Sequence, residues 1–166
     1  MSRFALPETA HPVMQAGLAY WQAAAPEPDL LPGRQHIDPA GMPALLPHVW
    51  LMEIHPPLPD TTVPRLRFRL VGSHVDLGFG DAKTGRWLDE IEPTFNSNPA
   101  IYTAYVGACA GIPNHRRGAP RFRFNRNAIE LERMLLPLAG DGRRVDMLLG
   151  FTVFYDERGD VLQAML

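Results

Sequence analysis

The chain has 166 residues, of which 46% are apolar, a formal charge of −2 and a single cysteine. That is about one domain of sequence with enough apolar content for a real core, and the near-neutral balance gives no general pull toward nucleic acid or an anionic membrane. Cys109 alone excludes an internal disulfide framework and favours a reducing compartment, no apolar run reaches the about 20 residues of a membrane helix, and residues 1–10 lack a basic-then-apolar leader, so a cytoplasmic protein is expected.

Residues 9–25 predict a first helix. Pro12 suits its first turn, Val13, Met14, Gly17, Leu18 and Trp21 form an apolar stripe, and Pro26 and Pro28 end it. Prolines cluster between residues 26 and 64, which predicts short elements joined by stiff loops. Within that stretch, residues 38–46 predict a short helix capped by Asp38, and residues 48–54 a strand. Residues 65–71 alternate: Leu66, Phe68 and Leu70 are expected on one face, Arg65, Arg67 and Arg69 on the other. A small helix from residue 73 ends in the turn signal Gly78-Phe79-Gly80-Asp81. The Thr84-Gly85-Arg86 turn then leads into Trp87-Leu88-Asp89-Glu90-Ile91. Asn98 and Pro99 start a helix over 99–110, stopped by Gly111 and Pro113.

Three strands follow, at 120–124, 128–138 and 145–155, the last two joined by a tight Gly140-Asp141-Gly142 hairpin. These two long strands are apolar on both parities, so both faces of the sheet should be covered, the second by the N-terminal helix or by a dimer partner. Hairpin connections favour an antiparallel sheet, and the class is α+β.

The order of these pieces resembles the PAS sensor domain, and more narrowly the proteobacterial group of short, stand-alone PAS-like proteins. The resemblance rests on Leu31-Pro32-Gly33-Arg34 with Asp38-Pro39, on Leu45-Leu46-Pro47-His48, and on Phe68-Arg69-Leu70-Val71-Gly72. It extends through Thr84-Gly85-Arg86-Trp87-Leu88-Asp89, Glu132-Arg133-Met134-Leu135-Leu136-Pro137-Leu138, Asp141-Gly142 and Val145-Asp146-Met147-Leu148-Leu149-Gly150. It implies a five-stranded antiparallel sheet with helices on one face and an N-terminal helical extension over residues 1–46, the PAS-like domain occupying 47–166. It implies no catalytic residues. Such a domain holds a small molecule or a partner against the sheet, and its strand order follows here from the resemblance.

Motifs for other chemistry are weak. In Gly78-Phe79-Gly80-Asp81-Ala82-Lys83-Thr84-Gly85, Ala82 and Leu77 stand where a phosphate-binding loop needs glycine. None of the six histidines pairs at helical zinc spacing, so no metal is expected. His74 would be the haem candidate, but an exposed or capping role on a surface helix suits it better. Cys109, between Ala108 and Ala110, reads as a small core residue rather than a flavin-reactive thiol. The serines lack a nucleophile elbow. Asp89, Glu90 and Glu92 read as a solvated turn. His115, Arg116, Arg117, Arg121, Arg123 and Arg126 form a basic stretch, either a charged sheet edge or a site for an anion.

The candidate ligand pocket is aromatic. Phe79, Trp87, Tyr102 and Tyr105 are expected on the helical layer, facing Phe68, Leu70, Phe122, Phe124, Met147 and Leu149, with Arg133 as a polar neighbour. The expected function is therefore a sensor that binds a small, anionic or aromatic metabolite and signals through a partner protein, without a resident cofactor. Met14 and Trp21 are the candidate surface for a homodimer or partner. Two alternatives remain: a ligand-free interaction module with a filled core, and a cone-shaped α+β isomerase or dehydratase built on His74 and Asp76.

Overall fold

The computed structural model describes residues 4–164. Five strands, β1 (Val49–His55), β2 (Arg65–Val71), β3 (Asn114–Gly118), β4 (Glu130–Leu138) and β5 (Met147–Tyr155), form one sheet in the order β2-β1-β5-β4-β3. Every neighbouring pair is antiparallel. The α+β architecture read from the sequence is thus the observed one. β4 and β5 lie inside the sheet and are apolar on both parities because each face carries its own core.

The N-terminal helix supplies the cover for one face. α1 (Pro12–Ala24) starts where His11 Nδ1 accepts the Val13 N–H and stops before Pro26. Its Met14 is wholly buried, packed with Leu18 in a core that includes Leu136, Leu149, Phe151 and Val153. Gly17 allows this approach, since a Cβ there would stand 2.9 Å from the Phe151 ring. Trp21 is half-buried and its indole N–H donates to Pro137 O at 2.9 Å. The expectation that Met14 is exposed is therefore corrected, its side chain being spent on its own sheet, while Trp21 keeps part of its surface. Pro137 fits a long strand because β3 pairs with β4 only as far as Leu135, so no ladder bond is lost.

The opposite face carries α2 (Ser73–Phe79), α3 (Leu88–Ile91) and α4 (Pro99–Cys109). They bury Trp50, Met52, Leu66, Phe68, Leu88, Phe95, Leu135, Leu148 and Phe154. Asn98 caps α4 through Ala100 N–H, as its sequence predicts. Cys109 packs against this core, and burial pushes its thiol up to about 11.

Four local expectations are corrected. Residues 38–46 make no continuous helix; Pro39–Gly41 and Leu46–His48 are separate 3-10 turns. The first of the three C-terminal strands is not 120–124 but the polar Asn114–Gly118, and residues 119–129 form a loop. The β4–β5 connection spans 139–146, tied by Asp141 Oδ1 to the Arg143 and Arg144 amides, rather than a tight hairpin. Finally, a bulge interrupts β2: Leu51 pairs with Leu70 but Met52 pairs with Phe68, leaving Arg69 extra. Leu66 and Phe68 therefore face the helical layer while Leu70 turns to the α1 side.

Candidate functional site

The core between the sheet and the α2–α4 layer is not completely filled. A small cavity of about 40 Å³ lies among Trp50, Phe68, Val75, Phe79, Ile101, Tyr105, Phe122, Phe124, Leu131, Thr152 and Phe154, with Arg116, Arg121 and Arg133 also in its lining. At about 10–15 Å³ per water, that is room for about three or four waters. Its walls come from all five strands, α2, α4 and the 119–129 loop.

Six of the sequence-predicted site residues meet there: Phe68, Phe79, Tyr105, Phe122, Phe124 and Arg133. Four do not. Leu70 is carried to the other face by the bulge, and Met147, with Leu149, has the β5 parity that faces α1. Trp87 sits outside the edge of β2, bridged to Arg67, with the Arg65 guanidinium 3.9 Å from its ring centroid and His55 at 4.9 Å. Tyr102 packs at the margin of the core, one helical step from the cavity wall held by Tyr105 and Ile101.

The aromatic rings form a continuous chain. Phe79 meets Phe68 at 5.8 Å and Phe124 at 4.8 Å; Phe124 meets Phe154 at 4.8 Å and Phe122 at 5.9 Å; Phe122 stacks on Tyr105 at 6.1 Å. Phe122 and Phe124 come from the loop, not from a strand. Among the described residues, residues 120–127 are tied to the rest of the fold by Asn125 N–H to Gly78 O at 2.6 Å and by Arg121 to Ala100 O. The roof of the cavity is thus its least anchored wall.

The floor is held from β5. Trp50 lies flat over Gly150, where a Cβ would stand 1.8 Å from the indole, and its N–H donates to Thr152 Oγ1 at 2.9 Å. β1 pairs with β5 only up to Phe151, which leaves the next backbone groups of β5 without a ladder partner. Two histidines take that place. His48 Nδ1 donates to Thr152 O at 3.0 Å, and His74 Nε2 accepts the Phe154 N–H at 3.0 Å. Their rings lie 4.5 Å apart. His74 is therefore buried and structural, not a surface residue, and burial, followed by the charges of His48 and His11, lowers its pKa to about 4. Desolvation lowers that of His48 as well. Bound to the Phe154 amide, His74 is not arranged as the base of an isomerase pair with Asp76, whose Oδ1 accepts the Lys83 amide.

On the α1 side, Glu132 is fully buried and accepts the His11 N–H at 3.0 and 3.2 Å, His115 Nε2 at 2.8 Å and Tyr155 O–H at 3.1 Å. A lone carboxylate on the apolar parity of a strand that runs on through Met134, Leu136 and Leu138 was the available sequence signal for it. The 89–92 acids are likewise not all solvated: Asp89 pairs with Arg65 at 2.9 Å, and Glu92 is buried with Thr94.

Burial, and then the neighbouring charges of Arg121 and Arg133, hold Arg116 below the ordinary arginine range. Burial raises the Tyr105 phenol, opposed by Arg133, whose guanidinium lies 5.3 Å from that ring.

Among the described residues, no group of three or more His, Cys, Asp or Glu could hold a metal ion, and no helix is long and apolar enough to cross a membrane. No curated protein and no solved structure matches the chain. A family model does: the one described as PAS domain matches residues 9–153, which takes in α1, the whole sheet up to Val153 and every wall of the cavity except Phe154. With the strand order β2-β1-β5-β4-β3 and the helical layer across one face, the chain belongs to the PAS domain family, and is in general terms a sensory or regulatory domain.

Proposed function

We propose that this PAS domain senses a small molecule bound in the aromatic cavity between α4, the 119–129 loop and the sheet, and passes the signal to another protein. The observation that carries this reading is the cavity itself: eleven apolar, aromatic or hydroxyl walls and three guanidiniums converge on one unfilled space under a weakly tied roof. At about 40 Å³ the space is below the about 300–1,000 Å³ of ordinary ligand pockets, so binding displaces Phe122 and Phe124. That displacement couples to the far face through β4. Arg133 lines the cavity, while its neighbour Glu132 holds the first turn of α1 at His11. A partner that contacts α1 would feel the change.

The small size of the cavity favours a second reading, a ligand-free interaction module with a filled core. A thermal-shift screen of neutral and charged metabolites, with native mass spectrometry of the purified protein, separates the two. The sensor reading expects at least one stabilising compound whose effect is lost in Ile101→Trp, which fills the cavity from α4. Absence of any bound or stabilising compound supports the filled core.

A further inference from the structure

The positive groups in the cavity lining are not disposed like an ordinary charged edge. Arg116, Arg121 and Arg133 line the inner cavity and also an outer groove of about 590 Å³ beside α4, so they stand at the boundary between the two. Neither space is lined by an Asp or Glu. Elsewhere three of the sheet's arginines find acids, Arg65 with Asp89, Arg69 with Glu53 and Arg117 with Glu130, while Arg67 donates to Gly85 O. Among the described residues, Arg116, Arg121 and Arg133 have no carboxylate within 4.0 Å; Arg116 donates to Ala119 O, Arg121 to Ala100 O and Arg133 to Asn114 Oδ1.

Each guanidinium offers five N–H donors in a planar fork, so most of the set is uncommitted. Arg133 Nε is the sharpest case, a buried donor with no hydrogen-bond partner among the described residues. A buried, unpartnered donor on a charged group is costly, and three like charges gathered without a counter-ion add repulsion. An anion at the junction would offset the repulsion and offer acceptors to the uncommitted guanidinium donors. Directly inside it are Tyr105, Phe122 and Ile101, which offer apolar surface to whatever the anion is attached to.

We infer that the ligand of this domain is an organic anion, a carboxylate or phosphate monoester with a short apolar or aryl body, its charged end on Arg133, Arg116 and Arg121 and its body replacing Phe122 in the cavity. The inference rests on the sensor reading above and names its ligand class. Arg fits carboxylate and phosphate equally well as bidentate acceptors, so the two head groups are separated by experiment.

The test uses 3-phenylpropionate, phenyl phosphate and the neutral 3-phenylpropionamide as probes, with isothermal titration and thermal shift on the full chain. Wild type and Phe122→Ala, which opens the roof, are both titrated. The acid or the phosphate ester is expected to bind at least about tenfold tighter than the amide, and Arg133→Gln or Arg121→Gln to remove that advantage. Arg117→Gln, on the outer face and paired with Glu130, is expected to change nothing. Equal binding of amide and acid, unaffected by Arg133→Gln, would overturn the anion inference and leave the cavity reading standing. Anion binding that survives both arginine variants would place the anion elsewhere and also overturn it. Failure of all three probes to bind either wild type or Phe122→Ala would overturn the inference and leave the sensor reading to the metabolite screen.

Discussion

Protonating His74 should destabilise the fold between neutral pH and about pH 4. Its Nε2 accepts the Phe154 N–H, which only a neutral ring can do, and a second imidazole lies 4.5 Å away. The pKa falls from 6.5 to about 4 on folding, for which desolvation is the first cause. A folded-state value below the unfolded one means the stability is present above about pH 6.5 and is lost as pH falls through about 4. At about 1.36 kcal/mol per pH unit, the requirement for a neutral ring is worth about 3 kcal/mol, of which about 2 is lost between neutral pH and roughly pH 4.5. That is a large part of the about 5–15 kcal/mol of an ordinary domain. Urea unfolding of wild type and His74→Gln at the two pH values measures it. Gln keeps an acceptor for Phe154 N–H and cannot gain a proton, so the variant should lose about 2 kcal/mol less than wild type on acidification. Equal losses in the two proteins would refute the reasoning.

Other perturbations act on separate parts of the fold. Glu132→Ala should cost about 3 kcal/mol by leaving His11 N–H, His115 and Tyr155 O–H without their acceptor, and hydrogen exchange should quicken at residues 11–14. Gly150→Ala should cost about 1–3 kcal/mol and red-shift tryptophan fluorescence, because the new methyl would displace the Trp50 ring. Met14→Ala should lower unfolding free energy by about 2–5 kcal/mol, the range for truncating a buried methionine, with no change of mass in light scattering. A fall in mass with unchanged protomer stability would instead restore the dimer surface. Trp21→Phe removes one hydrogen bond and should cost about 1 kcal/mol in the same measurement.

The elements legible in the sequence were those with local signals. Pro12 and Pro26 bracket α1, Asn98-Pro99 opens α4, and the two-sided apolar runs of β4 and β5 announce a sheet covered on both faces. The errors share one cause, dependence on neighbours distant in sequence. The bulge at Arg69 exists only against β1, so alternation alone put Leu70 in the pocket. β3 is a strand because β4 offers it a ladder, not because Asn114–Gly118 alternates. Phe122 and Phe124 show a strand-like pattern yet line the cavity from a loop, a local structure that alternation does not announce. His74 looks like a surface group until β5 supplies the amide that needs it. Trp87 shows the converse: an aromatic beside an apolar run, drawn outward by Arg65 and His55.

Intermolecular nuclear Overhauser effects on a methyl-labelled sample titrated with 3-phenylpropionate reach the central proposal most directly. Cross-peaks from the phenyl protons to the methyls of Ile101, Val75 and Leu131 are expected, since these line the cavity behind Phe122. Cross-peaks confined to the exposed methyls of Ile112 and Ile129, or none at all in a sample saturated with the probe, would contradict it.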